Sequence, residues 1–366
     1  MRLTAITFSK DAQTQMIYVF VVGSNQHLHA KYWNWAQPVA LWADLGAPTG
    51  TEASFGGLSA TTYYENGSQG KRRIHVFVLG QNAHLYVNYR TASQWKWADQ
   101  GQGLTDPWGS SSVAFYATAK WRIYAFVATG GKFRLNYWNG TNWNWADQGK
   151  PANTYIFSTP SVITYKGRSG KRRIHAFGSS QDGHLYVNYW NGSAWAWVDL
   201  GTPPGTLVAQ HQGAISKASP TAITFPKGVT QRIYVFVAGE DHHLYVKYWN
   251  GVKWAWADQG MPSGTTIDPA YQPSVITYLE GGKQRIYAFV LGANHHLYVN
   301  YWNGTQWNWA DQGAPPASAT FGGISAVTFS KSAKRHIYVF AGCSDGHVRV
   351  NHWDGLSWIW SDLGIP

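Results

Sequence analysis

The chain has 366 residues, of which 44% are hydrophobic, 16% aromatic and 13% charged. This composition excludes a disordered chain. The sequence has no run of about 18 apolar residues, so no membrane span is predicted. Cys343 is the only cysteine, which excludes an internal disulfide and a cysteine-based metal site.

The formal net charge is +11, from 29 basic and 18 acidic residues. Such a charge suits nucleic acid or another anionic partner. Many of the basic residues, however, form separate clusters before the second strand of five repeats, as at residues 71–73 and 168–173. Nucleic acid would need a continuous basic track. We therefore interpret them as a solubilising rim and expect no nucleic-acid partner.

One stretch occurs seven times along the chain. HLYVNYWNGSAWAWVDLG begins at His184, and related copies begin at His27, His84, Lys132, His243, His296 and His347. Two further pieces precede most copies, an [ST]-[AV]-x-T-[FY] segment and R-I-[YH]-[VA]-F. Each unit of roughly 50 residues thus reads as four short β-strands rich in β-branched and aromatic residues.

Four strands repeated seven times predict an all-β fold, a seven-bladed β-propeller with four antiparallel strands per blade. A solenoid is the alternative, but its end repeats would be atypical, whereas units 1 and 7 are nearly as regular as the others. We expect one domain, residues 1–366, closed by unit 7 meeting unit 1 without strand exchange. The predicted blades are residues 1–46, 47–101, 102–149, 150–201, 202–260, 261–313 and 314–366.

The outer hairpin of each unit is predicted to have two different faces. In unit 4 a four-residue loop would pair Trp190 with Trp195, Asn188 with Trp197, and Tyr186 with Asp199. One face is then apolar, and the other mixes aromatic rings with hydrogen-bonding groups. Rings beside a few polar groups in a groove suit a sugar, whose C–H face stacks on indole.

The candidate carbohydrate-binding residues follow from this mixed face. They are Trp95, Trp97, Trp143, Trp145, Trp195, Trp197, Trp254, Trp256, Trp307, Trp309, Trp358, Tyr186, Asn188, Tyr245, Tyr298 and Asn300. The alternative is structural, because large aromatics also fill the space between blades. For His184, Asp199 and Ser161 a structural network at the blade end is favoured. For Trp195 and its equivalents binding is favoured, and Trp197 could serve either role.

Catalysis is not expected. The sequence shows no separate carboxylate pair, HExxH motif or phosphate loop, and every notable group recurs about sevenfold. Repetition of a weak site is typical of a multivalent binder. No metal or cofactor is predicted. Asn-Gly-Ser/Thr at Asn66, Asn139, Asn191 and Asn303 fits glycosylation sequons, but Asn-Gly is also good turn chemistry, which we favour.

Units ending in YWNGxxWxWADxG closely resemble the Photorhabdus seven-bladed propeller lectins, the PLL-like group, along the whole chain. The resemblance implies multivalent binding of L-fucose and O-methylated sugars between blades, with galactose in some members. Its partners would be host glycans, and homo-oligomers occur in some members. A propeller scaffold that binds a protein partner is the alternative function, and an enzyme is less favoured than either.

The seven units are unequal. Units 4, 5 and 6 keep the full set of His, Tyr and three Trp, so we expect the sites of Trp195, Trp254 and Trp307 to bind best. Unit 1 has Ala40 in place of the first Trp and should bind weakly or not at all. The start of the chain lacks a signal-peptide pattern. We expect synthesis in the cytoplasm, no membrane insertion, and release by a non-classical route to meet host glycans.

Overall fold

The structure is a computed structural model that describes residues 2–10, 14–34, 41–65, 71–91, 94–101, 104–209, 219–316, 320–332 and 334–366. Its regular structure in these residues is β-strand, with no α-helix. None of the described residues forms a helix long and apolar enough to cross a membrane. Asn66, one of the four sequon positions, lies outside the described residues.

Within the described ranges, twenty-eight strands follow one another in seven groups of four. In chain order they are β1 Leu3–Ser9, β2 Gln15–Val22, β3 Leu28–Asn34, β4 Ala43–Asp44, β5 Ser59–Tyr64, β6 Arg72–Leu79, β7 Leu85–Arg90, β8 Trp95–Asp99, β9 Pro107–Ala117, β10 Lys120–Thr129, β11 Lys132–Trp138, β12 Trp143–Gly149, β13 Ser161–Lys166, β14 Arg172–Ser179, β15 Leu185–Trp190, β16 Trp195–Asp199, β17 Thr221–Lys227, β18 Thr230–Ala238, β19 Leu244–Trp249, β20 Trp254–Asp258, β21 Ser274–Glu280, β22 Lys283–Leu291, β23 Leu297–Trp302, β24 Trp307–Asp311, β25 Phe321–Lys331, β26 Lys334–Cys343, β27 Val348–Trp353 and β28 Trp358–Asp362.

Each group of four consecutive strands forms its own sheet, in which neighbours in the chain are neighbours in the sheet. The seven sheets are antiparallel and are numbered here as blades 1 to 7 in chain order. Short connections between the strands of a unit explain this up-and-down order. The predicted all-β fold, a seven-bladed β-propeller with four antiparallel strands per blade, is confirmed.

Two compact units make up the chain. One comprises Met1–Ala125, Asn136–Trp145 and Pro315–Pro366, and the other Phe126–Leu135 and Ala146–Ala314. In the first, blade 7 packs on blade 1 through Val327, Phe340 and Val19, and the Ala5 amide donates to Ser325 Oγ at 3.0 Å. Blades 1 and 7 meet without strand exchange, as predicted. The single domain over residues 1–366 stays a prediction.

The second unit shows how neighbouring blades share a core. Phe177 and Val187 of blade 4 pack against Val235 and Val237 of blade 5, and all four are at least 98% buried. Burying one such side chain stabilises the fold by about 1.5–3 kcal/mol. The alternation of side chains along a strand produces both faces. The apolar face of blade 4 therefore meets the mixed face of the blade that follows it in the chain.

The outer hairpins have the predicted register. In blade 4, Trp190 pairs with Trp195, Asn188 with Trp197, and Tyr186 with Asp199. The loop is closed by Asn191, whose Oδ1 accepts hydrogen bonds from the Ser193 and Ala194 amides at 2.9 and 3.0 Å. This is the turn chemistry expected of Asn-Gly.

Candidate functional site

A column of three rings lies on the apolar face of each blade, with one ring from each of its first three strands. In blade 2, His75 stacks between Tyr63 and Tyr89, with ring centroids 5.6 and 5.9 Å apart. The strand register explains the column. His75 pairs directly with Tyr89, and Tyr63 pairs with Arg73, two residues before His75, so that all three rings lie on one face. The other columns are Phe8–Tyr18–Tyr32, Phe115–Tyr124–Tyr137, Tyr165–His175–Tyr189, Phe225–Tyr234–Tyr248, Tyr278–Tyr287–Tyr301 and Phe329–Tyr338–His352.

An arginine stands at the outer end of several columns. Arg73 pairs with Tyr63 across the strands of blade 2 and donates to both oxygens of Glu65 at 2.7 and 2.8 Å. Its side chain is only 23% exposed. Arg285 makes the equivalent ion pair with Glu280 at 3.2 Å. The interpretation of these cations as a purely solubilising rim is therefore wrong for Arg73 and Arg285, whose heads are held in partly buried ion pairs.

A cleft lies between blade 2 and blade 3 and is called cleft 2/3. Its volume is about 1230 Å³. Blade 2 contributes Arg73 and the Tyr63–His75–Tyr89 column, and blade 3 contributes Trp121, Trp138 and Trp143 on the facing wall. Tyr63 and Trp121 lie 4.8 Å apart at 31°. Rings on both walls and an ion pair at the end make this an aromatic groove with a charged end.

Several polar atoms buried in the walls of cleft 2/3 have no partner in the described structure. They are His75 Nδ1, Trp121 Nε1, and both side-chain atoms of Asn136. His75 is 8% exposed and Asn136 is fully buried. Burial, and secondarily the charge of Arg73, lowers the pKa of His75 to about 3, so the ring is neutral at physiological pH. Buried polar groups in native proteins are normally hydrogen-bonded, so these atoms are exceptions within the described structure.

In blades 2 to 7 the first tryptophan of the outer strand is a half-buried wall residue. In blade 4, Trp195 meets Phe126 edge-on at 5.6 Å and lies 5.7 Å from Trp190. No hydrogen bond from its indole N–H to a described residue is found. Trp95, Trp143, Trp254 and Trp307 contact Phe20, Phe77, Phe177 and Phe236 in the same way, and Trp358 lies beside Trp353.

The second tryptophan joins its blade to the one before it. Trp197 Nε1 donates to the carbonyl oxygen of Gln148 at 2.8 Å, a bond from blade 4 to the last strand region of the preceding unit. The same bond is made by Trp97 to Leu45, Trp145 to Gln100, Trp256 to Leu200 and Trp309 to Gln259. This role matches the structural alternative considered for Trp197, although sugar contact by these rings stays a prediction.

The predicted tyrosines and asparagines of the mixed face are buried. Tyr186, Tyr245 and Tyr298 are at most 8% exposed. The Tyr186 hydroxyl donates to Asp182 at 3.0 Å and that of Tyr245 to Asp241 at 2.6 Å. Tyr298 OH accepts from Asn294 at 2.8 Å. Burial and these carboxylates raise the pKa of Tyr186 and Tyr245.

Asn188 and Asn300 are each 1% exposed, and the Oδ1 atom of each has no described partner. Contact of the tyrosines or asparagines with sugar stays a prediction.

An exposed His–Asp pair recurs at one end of six outer hairpins. His184 Nδ1 lies 2.9 Å from Asp199 Oδ2. The other pairs are His27–Asp44, His84–Asp99, His243–Asp258, His296–Asp311 and His347–Asp362, and Lys132–Asp147 replaces them in blade 3. Ser161 is not part of the pair, because its Oγ accepts from the Ala222 amide of blade 5 at 2.9 Å. The pairs therefore close each hairpin on itself.

Two arginines of blade 2 lie over the aromatic rings between blade 1 and blade 2. Arg72 lies over the Phe8 and Tyr64 rings, 4.3 and 3.7 Å from their centroids. Arg90 donates to the Tyr18 hydroxyl and lies 6.0 Å from the Tyr18 and Tyr32 centroids. Arg90 stands where the six other units have tryptophan. Cations over aromatic faces are attracted to them, so the two arginines occupy the space that remains open between blades 2 and 3.

A smaller cleft of about 490 Å³ lies between blade 4 and blade 5 and is called cleft 4/5. It is lined by Tyr165, Arg173, Gln231 and Trp249, the counterparts of Tyr63, Arg73, Trp121 and Trp138.

Among the described residues no group of three or more His, Cys, Asp or Glu side chains could hold a metal ion.

The same fold occurs in solved lectin structures. The chain is similar to the BP39L lectin from Burkholderia pseudomallei, with a TM-score of 0.71 and 18% identity over 100% of this chain and 98% of that one. It is also similar to the Aleuria aurantia lectin, described as a six-bladed β-propeller with a novel fucose recognition mode. That similarity has a TM-score of 0.55 and 16% identity over 86% of this chain and 97% of the lectin.

The SapL1 lectin, solved in complex with alpha methyl fucoside, is similar with a TM-score of 0.53 and 16% identity. That similarity covers 86% of this chain and 98% of SapL1. No protein-family model and no curated protein matches the sequence. At these identities the comparisons establish the fold, which agrees with the sheets described above.

Signals for the missed site residues are present in the sequence. Tyr63, Arg73, His75 and Tyr89 were not among the predicted binding residues, yet each belongs to a piece that recurs along the chain. The first ring of a column comes from the end of the first segment, as Tyr63 does. The arginine and the second ring come from R-I-[YH], and the third ring is the last Tyr of HLYVNY. Aligning the three strands in register would have brought these residues together.

Proposed function

We propose that the protein is a multivalent carbohydrate-binding lectin that holds sugars in aromatic clefts between its blades. The observation that carries the proposal is cleft 2/3, which combines facing aromatic walls, the Arg73–Glu65 ion pair and buried polar atoms without partners. Sugar C–H faces stack on rings while hydroxyls need donors and acceptors. A groove with this composition supplies both.

We further propose L-fucose and related O-methylated sugars as the ligands, with galactose as a weaker candidate. A deoxy sugar presents a methyl group that an apolar wall such as Trp143 can cover. The fucose ligands named for the Aleuria aurantia and SapL1 structures support this choice. The sequence motif that resembles the Photorhabdus propeller lectins supports it as well. The recurrence of the column in seven blades supports several sites per chain and binding by avidity.

The alternative is a scaffold that binds a protein partner. Its binding would not be inhibited by a free monosaccharide, whereas binding by a lectin would be. An enzyme is a weaker alternative, because the groups in the clefts and the His–Asp pairs recur from blade to blade.

A glycan array repeated with excess free L-fucose tests the proposed function. We expect fucosylated glycans to bind and free fucose to compete. Arg73→Met should weaken binding of methyl α-L-fucoside, because it removes charged donors from the end of cleft 2/3. Lys253→Met removes an exposed cation in a hairpin loop and should leave binding unchanged. Binding to no glycan on the array, or equal effects of the two variants, would argue against the proposal.

A further inference from the structure

Cleft 2/3 is a groove that extends along the strands. At one end it is lined by Arg73 and at the other by Gln100 and Gly101. The backbone N–H of Gln100 donates to the Leu85 carbonyl oxygen, and Leu85 pairs with Leu79 on the neighbouring strand. Along β6, the groove therefore extends from the level of Arg73 to the level of Leu79. At about 3.3 Å per residue this is roughly 20 Å. The groove is thus longer than a single sugar ring.

Hydrogen-bonding groups without partners are present at both ends of this groove. Trp121 Nε1 is at the Arg73 end, where the Trp121 ring packs on Tyr63. Asn136 is on β11 beside the outer strand that carries Trp145, whose indole bonds to Gln100 at the far end. Both side-chain atoms of Asn136 are buried and without a described partner. A ligand that satisfies both ends must reach across the groove.

The lining of cleft 4/5 does not include counterparts of Gln100 and Gly101 at the far end, and the two clefts differ at two positions of the facing blade. Lys247 stands at the position of Asn136, and its ammonium lies 4.9 Å from the Trp256 ring centroid. The lysine is 8% exposed, so its chain fills the space beside Trp256. Gln231 replaces Trp121 and bonds to Thr224 Oγ1 at 2.6 Å instead of offering a ring to the cleft. The two clefts therefore differ at both ends.

We propose that cleft 2/3 binds an oligosaccharide of at least two sugar residues, one beside Arg73 and Trp121 and the next beside Asn136, whereas cleft 4/5 binds a single residue. The volume agrees, because about 1230 Å³ exceeds the usual 300–1,000 Å³ or so of a site for a drug-sized ligand, and cleft 4/5 has about 490 Å³. This inference rests on the proposed carbohydrate-binding function.

Isothermal titration of the whole chain tests it, with methyl α-L-fucoside and a panel of α1-2, α1-3, α1-4 and α1-6 fucosyl disaccharides as probes. At least one disaccharide should bind the wild-type chain about tenfold more tightly than the monosaccharide, at one site per chain. Asn136→Lys should remove this gain while monosaccharide binding is kept, which also shows that the variant is folded. The double variant Lys247→Asn, Gln231→Trp, which restores both ends of the groove in cleft 4/5, should create a second site that prefers the disaccharide.

Trp121→Gln serves as a second variant and should weaken the same disaccharide at least fivefold. The inference is wrong if no disaccharide of the panel binds more than threefold better than methyl α-L-fucoside, or if Asn136→Lys and Trp121→Gln both retain the gain. Absence of binding for every sugar would instead contradict the proposed function itself. The two failures are therefore distinguishable in one set of titrations.

Discussion

The second tryptophan of an outer strand should contribute more to the free energy of unfolding than the first, because it is the second that is hydrogen-bonded to the preceding blade. Trp309 Nε1 donates to the Gln259 carbonyl at 2.8 Å, which joins blade 6 to blade 5. Trp309→Phe removes this donor. A partly buried carbonyl left without its partner costs about 1–3 kcal/mol. The smaller ring also forfeits roughly 40 Å² of apolar contact, about 1 kcal/mol. The expected loss of unfolding free energy is about 2–4 kcal/mol.

Trp307→Phe is the matched control, because the same substitution is made on the same strand, two residues before Trp309. Trp307 packs edge-on against Phe236 at 6.0 Å and beside Trp302 at 5.7 Å, and no hydrogen bond of its N–H to a described residue is found. Its replacement should cost only the contact, about 1 kcal/mol. Urea unfolding, followed by both fluorescence and circular dichroism, measures the difference. With an m-value of about 3–4 kcal/mol/M, Trp309→Phe should lower the midpoint by roughly 0.5–1 M. Equal midpoints for the two variants would refute the reasoning.

Two further predictions concern residues of the columns and the filled space between blades 1 and 2. Burial lowers the pKa of His175 to about 4, so its stabilising contribution is complete above pH 6.5 and is lost as the pH falls toward 4. Five other columns have tyrosine at this position. In His175→Tyr the free energy of unfolding should therefore fall by about 2 kcal/mol less between pH 7.5 and pH 5 than in the wild-type protein. Urea unfolding at both pH values measures the difference, and an unchanged pH dependence would contradict this. The double variant Arg72→Gln, Arg90→Trp should empty the space beside Tyr18 and add one fucoside site per chain by titration, whereas an unchanged stoichiometry would show that the arginines do not block it.

The fold could be predicted from the sequence because each unit repeats the same alternation of apolar and polar positions. Strand pairing inside a unit is local, so a four-residue loop fixes the partners of Trp190 and Asn188, and the structure confirms both. Repetition then indicates the number of blades. This part of the prediction needed no information beyond neighbouring residues in the chain.

The site was less predictable, because its parts come from separate strands and from two blades. The donor bond from Trp197 to the Gln148 carbonyl has no sequence signature, since any residue offers a carbonyl. Asn136 in blade 3 and Lys247 in blade 5 occupy the same strand position, and the effect of this difference on a cleft appears only when the facing blade is in place. The sequence indicated the aromatic residues, but packing determines which rings face a cleft.

A crystal structure of the protein with methyl α-L-fucoside tests the central claim most directly. We expect the sugar in cleft 2/3, with its C–H face on the aromatic wall formed by Tyr63, Trp121 or Trp143 and its hydroxyls within hydrogen-bonding distance of Arg73. The space filled by Arg72 and Arg90 should hold no sugar. A fucoside bound only outside the clefts between blades, or a cleft 2/3 empty at saturating ligand, would contradict the account.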